Sequence, residues 1–279
     1  MMPAILTTPG ACAAWADGHR REGRRIGLVP TMGALHAGHA SLMRHLRPQC
    51  DVLLVSIFVN PLQFGEGEDL ETYPRTFDAD VEVCREEGVD AIFAPTTMYP
   101  HDFSSTVSVQ GLTSGLCGAK RPGHFDGVTT VVMRLFGLSR ADIAVFGEKD
   151  YQQLAVLRRM TRDFGLAIDV QGAPIVREAD GLALSSRNTY LSPDERERAL
   201  SLSRALAHVD QMVKRGERRV ETLAAEGLRR LDVDAVDYLQ IVDATTLQPL
   251  TVIDKSARIL VAAHLGSTRL IDNMALEPA

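Results

Sequence analysis

No apolar run in the 279-residue chain approaches the roughly 20 residues that a membrane-crossing helix needs. The opening Met-Met-Pro-Ala-Ile-Leu-Thr-Thr stretch has neither a charged n-region nor a long apolar h-region, which reads as no secretory signal. Cysteine is scarce: Cys12, Cys50, Cys84 and Cys117 are scattered and form no C-x-x-C pair. That argues against a disulfide framework or a zinc site and points to reduced thiols in a cytoplasmic protein. An excess of basic charge is also missing. Thirty Lys and Arg stand against 36 Asp and Glu, a net charge of −6, so neither a nucleic acid nor a membrane surface is the expected partner. A local basic pocket remains open. There is no internal repeat and no low-complexity tract. No Cys–His or Ser–His–acid arrangement has recognisable spacing, so nothing calls for a covalent nucleophile.

What remains is the composition of an ordinary soluble globular protein, long enough for one large or two moderate domains. Ile26 to Val29 reads as a buried strand. Asp51 to Val59 is a nearly continuous β-branched run that suits a central parallel strand covered on both faces. Ala91 to Ala94, Asp142 to Phe146 and Ile168 to Val176 read as further strands. They alternate with helical stretches at Asp78 to Gly88, Val128 to Leu138 and Tyr151 to Phe164, the last ending at Gly165. This alternation predicts an α/β fold with a Rossmann-like, doubly wound parallel sheet over residues 1–180. The character changes near residue 185. Ser192-Pro193-Asp194-Glu195 is a helix start, with Ser as N-cap, Pro at N1 and Glu at N3. A charged helix to about Lys214, a break at Gly216, a second helix to about Leu231, and strand-like runs at Tyr238 to Val242 and Arg258 to Ala263 follow. Residues 181–279 are therefore expected to form a smaller α+β C-terminal domain.

The stretch most suggestive of chemistry is Pro30-Thr31-Met32-Gly33-Ala34-Leu35-His36-Ala37-Gly38-His39. A bare H-x-x-H is most simply two surface histidines. Here a strand precedes it, glycines interrupt it and a helical segment follows. Histidines three apart on a helix share a face, and a helix N-terminus beyond a strand favours anions. Together these describe a cradle for a triphosphate. In open α/β sheets ligands bind beyond the carboxyl ends of the strands, and each expected strand ends in distinctive residues. These are Pro30 to His39, Asn60 to Gly65, Gly147 to Gln153, and Val176 to Asn188. Each loop alone has an ordinary explanation: Asn60 as a turn-former before Pro61, Lys149 as a solvated charge, Ser185 and Ser186 as backbone caps. Their coincidence at strand ends is the stronger observation. Lys149 and Arg187 suit phosphate oxygens, and Ser185 and Ser186 can donate to the same oxygens. Asp150 can accept from ribose hydroxyls, and Gln63 and Gln153 suit a small polar substrate. The set fits transfer at phosphorus, where positioning and electrostatics supply most of the catalysis.

These blocks resemble the pantoate–β-alanine ligases of the H-x-G-H nucleotidyltransferase superfamily. The likeness runs from Pro30 to Asn273. It rests on Pro30 to His39, Phe58 to Phe64, Tyr73-Pro74-Arg75-Thr76, Arg121-Pro122-Gly123-His124-Phe125, Phe146 to Leu154 and Asp180 to Leu191. The resemblance implies ATP as substrate with Mg2+ carried on its phosphates, and a reaction in which pantoate is adenylated with loss of pyrophosphate. β-Alanine then displaces AMP to give pantothenate. By matched position, His36, His39, Lys149, Ser185, Ser186 and Arg187 are the implied catalytic phosphate ligands. Pro30, Thr31, Met32, Gly147, Asp150, Val176 and Leu184 join them around ATP, with Gly147 and Asp150 on the ribose and the Val176 backbone on adenine. Gln63 and Gln153 are the implied pantoate pair, with Met32, Phe58 and Asn60 beside them and Tyr73 nearby. No protein ligand to the metal is implied, although Asp80 is a candidate outer one. The family also implies a homodimer and a C-terminal domain that lies over the site as a lid.

Three departures from the family pattern stand out. Cys117 occupies a position where relatives usually carry Glu, Leu184 one where some have Met, and Asp78-Ala79-Asp80 lacks one of the acidic residues that some relatives show. Two other readings use the same residues: adenylyl transfer to a phosphorylated coenzyme precursor, and a nucleotide sensor without turnover. The paired glutamines argue against the first and the intact His36, His39, Lys149 and Arg187 against the second. An aminoacyl-tRNA synthetase is disfavoured by the short, acidic chain.

Overall fold

The computed structural model describes residues 2–278. The chain opens with strand β1 (Ala4–Leu6) and helix α1 (Pro9–Arg21), neither of which is among the elements expected from the sequence. Then come β2 (Ile26–Thr31), α2 (Ala37–Leu46), β3 (Val52–Ile57), α3 (Phe77–Glu86), β4 (Ala91–Phe93), α4 (Leu116–Lys120), α5 (His124–Ser139), β5 (Ile143–Gly147), α6 (Tyr151–Asp163) and β6 (Asp169–Ala173). The C-terminal part holds α7 (Pro193–Lys214), α8 (Val220–Leu228), β7 (Ala235–Asp243), β8 (Ala257–Leu265) and β9 (Thr268–Leu276). Among the described residues no helix is long and apolar enough to cross a membrane.

The first six strands form one parallel sheet in the order β1-β4-β3-β2-β5-β6. Its central strands are covered on both faces. Val52 and Leu54 of β3 enter one core cluster and Leu53 and Val55 the other. That is why β3 reads as a continuous apolar run with no polar alternation. The strand order reverses between β2 and β5, and these two pair only through Gly27–Ile143 and Leu28–Ala144. Beyond Leu28 they part, and Pro30, which has no N–H to offer a ladder, lies just past the split. A crevice therefore opens at the carboxyl end of the sheet, at its topological switch point.

The antiparallel sheet β7-β8-β9 also buries both faces. Leu260 and Ala262 of β8 join the core that holds α5 and α6, while Ile259 and Val261 pack with α7 and α8. The start of α7 is as expected: Ser192 accepts the Glu195 N–H, and the Glu195 carboxylate accepts the Ser192 N–H at 2.8 Å. Several expected bounds shift. The second helix, expected after the break at Gly216 and to about Leu231, is Val220–Leu228, and the expected strand to Val176 stops at Ala173. β9 is a further strand without a sequence expectation, because Arg269, Asp272 and Asn273 interrupt its apolar pattern.

Candidate active site

A cavity of about 1440 Å3 occupies the crevice. Every residue expected from the sequence to bind ATP or pantoate lines it: Pro30, Thr31, Met32, His36, His39, Phe58, Asn60, Gln63, Gly147, Lys149, Asp150, Gln153, Val176, Leu184, Ser185, Ser186 and Arg187. Tyr73 and Cys117 line it as well.

The histidines do not share a helical face as expected. His36 has extended backbone and is the N-cap of α2, while His39 is its third helical residue. The two rings cap the helix reciprocally. The His36 Nδ1 accepts the Gly38 N–H at 3.1 Å, and the His36 N–H donates to His39 Nδ1 at 3.3 Å. With Nδ1 an acceptor in both, the neutral rings carry their proton on Nε2 and present it as a donor. Gly38 is required here: a Cβ would lie 2.8 Å from the His36 ring. Burial first, then His36 and Lys149, pushes His39 down to about 3. Burial and Lys149 lower His36 too, against the opposing pull of Glu178. Both rings are therefore neutral hydrogen-bond donors at pH 7.

That depression has a consequence for stability. The folded His39 value lies below the 6.5 of a free histidine, so on acidification the unfolded chain takes up the proton first. His39 contributes its full stability above about pH 6.5 and loses it as the pH falls toward 3. For a partly screened ring the loss between pH 7 and pH 5 is about 1 kcal/mol. Urea unfolding of His39→Asn should show a pH dependence flatter by about that amount. An unchanged slope would count against a neutral His39.

The turn before the histidines is held from below. Gly33 (φ +84°) and Ala34 (φ +50°) both take left-handed backbone. The Asp80 carboxylate accepts the Ala34 and Leu35 N–H groups at 3.1 and 2.8 Å and the Thr76 hydroxyl at 3.1 Å. Asp80 is only 2% exposed and does not line the cavity. This corrects its candidacy as an outer metal ligand: both oxygens are already used to shape the turn that leads into His36.

Lys149 stands on a 3-10 turn, Glu148–Asp150, at the end of β5. Two residues of the antiparallel sheet pin this turn. The Asn273 Nδ2 donates to the Glu148 and Lys149 carbonyls at 2.9 and 2.8 Å. Arg258 donates to the Asn273 Oδ1 and to the Glu148 carboxylate, both at 2.8 Å, and stacks over Tyr151 at 3.9 Å. The Lys149 ammonium itself has no carboxylate within 4 Å among the described residues. Asp150 is exposed. Arg258 and Asn273 lie more than a hundred residues from Lys149, and no local pattern in the sequence marks them as its support.

Ser185 caps the 3-10 turn Ser186–Tyr190, accepting the Arg187 N–H at 3.3 Å. The Val176 carbonyl accepts the Leu184 N–H at 3.0 Å, tying the two expected adenine-side residues together. Arg177 forks onto Asp272 of β9 at 2.7 and 2.9 Å, which anchors the segment to the antiparallel sheet. Arg187 is not free. Its guanidinium holds Asp69 through two bonds of 2.8 and 3.1 Å.

On the far side of the cavity the Gln63 amide donates to the Met32 sulfur at 3.0 Å and accepts from Asn60 at 3.1 Å. Asn60 is 1% exposed, and its amide also serves the Gly127 carbonyl, the Leu62 N–H and the Tyr99 hydroxyl. It therefore orients Gln63, with no polar group left for a ligand. The Gln63 carbonyl is held by His124 Nδ1 at 2.8 Å, and Arg121 bonds His124 Nε2 at 3.0 Å. Burial, then Arg121, pushes His124 down to about 4. The two neighbouring glutamines of α6 divide their work. Gln152 is buried and its amide serves Leu112, Gly115 and Cys117, whereas Gln153 keeps its amide for the cavity. Cys117 meets Tyr238 and Arg269 at 3.0 and 3.4 Å, and Arg269 is neutralised by Asp237 at 2.7 Å.

Residues 4–275 match the family model described as pantoate-beta-alanine ligase. The pantothenate synthetase of Heliobacterium modesticaldum is 53% identical over 95% of this chain and 96% of its own. That of Myxococcus xanthus is 52% identical over 99% and 97%. Among solved structures, pantothenate synthetase from Thermus thermophilus superposes with a TM-score of 0.92 at 46% identity, covering 97% of this chain and 98% of that one. The pantoate-beta-alanine ligase of Francisella tularensis, solved with beta-gamma ATP and beta-alanine, gives a TM-score of 0.80 at 30% identity over 98% and 97%. With full-length matches of this strength, the chain belongs to the pantoate–β-alanine ligase family, the enzymes that join pantoate to β-alanine at the expense of ATP.

Proposed function

We propose that the ligation runs in two half-reactions within the one cavity. In the first, a pantoate carboxylate oxygen attacks the α-phosphorus of ATP. The bond from that phosphorus to the bridging oxygen breaks, and pyrophosphate leaves with the electron pair. In the second, the β-alanine nitrogen attacks the acyl carbonyl, AMP departs, and the nitrogen gives up its proton. Adenylation is needed because a carboxylate is a poor electrophile toward an amine. The observation that carries this reading is the grouping of the His36 and His39 Nε2 donors, the unpaired Lys149 ammonium and Ser185–Ser186 around one cavity that also holds the Gln63 and Gln153 amides. The first set suits charge developing on departing phosphate oxygens. The second suits the hydroxyls and carboxylate of a small neutral-to-anionic acid. The complex of the Francisella enzyme with beta-gamma ATP and beta-alanine supports the same substrates here.

Magnesium is assigned to the ATP phosphates, as their counter-ion. Asp80 does not suit it, because its oxygens are already engaged. Residues 1–180 supply most of the site, and residues 181–279 support it through Asn273, Arg258 and Asp272, which fits a covering role. A cytoplasmic homodimer is the form the family likeness implies.

Pantoate-dependent exchange of pyrophosphate into ATP, without β-alanine, tests the first half-reaction. Exchange followed by AMP and pantothenate on adding β-alanine is the expected result; AMP formed only when all three substrates are present, with no exchange, would overturn the adenylate route. In the same assay Gln63→Ala should raise the pantoate KM about tenfold or more, and the ATP KM by less than about twofold. Equal effects on both would move pantoate elsewhere.

A further inference from the structure

Asp69 stands in a segment rich in carboxylates, Gly65-Glu66-Gly67-Glu68-Asp69-Leu70-Glu71, between β3 and α3. Two ion pairs tie this strap to the cavity wall, one beside Gln63 and one at the phosphate end. Glu68 pairs with Arg121 at 2.5 and 2.6 Å, and Asp69 forks onto Arg187. The strap thus engages Arg187 of the Ser-Ser-Arg set with its own carboxylate. Lys149, the other cation of that end, has no such partner among the described residues.

A carboxylate seated bidentately on a guanidinium uses the fork that a phosphate would use. We propose that Asp69 sets the ATP affinity of this enzyme by occupying Arg187 in place of a phosphate until the nucleotide displaces it. This rests on the reading of Arg187 as a phosphate ligand. The guanidinium cannot serve both anions through the same N–H groups. Nor would Asp69 stay beside an arriving triphosphate, whose charge repels it. Glu68 can remain on Arg121 while Asp69 swings clear, so the strap opens at one contact and keeps its anchor. The apparent affinity for ATP is then lowered by the fraction of molecules in which Arg187 is free. The same exchange favours departure of pyrophosphate, because Asp69 recaptures Arg187 when it leaves.

Calorimetric titration of MgATP, without pantoate so that no turnover occurs, tests this on the full-length protein. For a partly buried pair, Asp69→Asn is expected to tighten ATP binding about three- to fivefold. Pyrophosphate should inhibit that variant more strongly by a similar factor. Glu66→Gln removes an exposed carboxylate of the same strap that touches no cation, and should change the Kd by less than about 1.5-fold. Arg187→Gln tests the underlying reading by itself and should weaken ATP about tenfold or more. Added to Arg187→Gln, Asp69→Asn should have no further effect. Unaltered or weaker ATP binding by Asp69→Asn, with Arg187→Gln still impaired, would overturn the role of Asp69 and leave the phosphate site standing. So would equal tightening by Glu66→Gln, or tightening that persists without Arg187. ATP binding unaffected by Arg187→Gln would instead overturn the phosphate assignment and the competition with it. Asp69→Ser serves as a second variant if the amide perturbs the strap.

Discussion

Lys149→Ala should leave a folded protein whose pantoate-dependent pyrophosphate exchange is about a hundred- to a thousandfold slower, the scale on which loss of one preorganised electrostatic group acts. The argument rests on how the side chain is held. Its turn is fixed by the Asn273 bonds to two carbonyls and by Arg258 on Glu148, none of which involves the lysine ammonium. Truncation removes a cation and little else, so thermal unfolding should move by no more than about 2 °C for this size of protein. Lys149→Arg would restore charge but not the point-like geometry of an ammonium, and should recover only part of the rate. Exchange at the wild-type rate in Lys149→Ala would remove the ammonium from the transition state. His39→Ala belongs to the same class, since it deletes an Nε2 donor at the N-terminus of α2.

The largest structural effect is expected from Asp80→Ala. Its carboxylate meets no cation among the described residues; it is buried and accepts from two backbone N–H groups and one hydroxyl. Truncation strands those donors next to a small void, at a cost of about 3 kcal/mol, because hydrogen bonds to a charged acceptor are the stronger kind. For a protein of this length that lowers the melting temperature by roughly 6–12 °C. The loosened Gly33–Leu35 turn leads straight into the His36 cap, so exchange should slow as well. Differential scanning calorimetry with and without Mg2+ separates this from a metal role. A structural Asp80 gives the same drop in both conditions. A drop seen only with Mg2+ present would return Asp80 to the metal.

Much of the site was legible because the chain places its chemistry at strand ends. A strand is readable from its apolar run, and in a parallel sheet all carboxyl ends face one edge. The four polar loops after Val29, Val59, Phe146 and Val176 therefore had to converge if the sheet was doubly wound. β1 carries little sequence signal because Ala4 and Ile5 are exposed on an edge strand, unlike the equally short but buried β4, and β9 because its polar residues break the pattern. The Arg258, Asp272 and Asn273 side chains that break such patterns are the ones that brace the Lys149 turn and the Arg177 segment.

The sequence by itself determined the alternation of strands and helices, the Ser192–Glu195 cap, the cavity's residue types and the family. All of these depend on near neighbours or on ordered blocks along the chain. Only the tertiary structure decided which of those residues are available. Arg187 is engaged by Asp69, Asp80 is spent on a turn, Asn60 serves Gln63, His36 caps a helix, and Lys149 stands free on a turn braced from the other sheet. A side chain's partners, burial and proton affinity come from groups brought close by folding, and most of these lie tens to more than a hundred residues away. Hydrophobic period and capping signals act over a few residues and carry no information at that range.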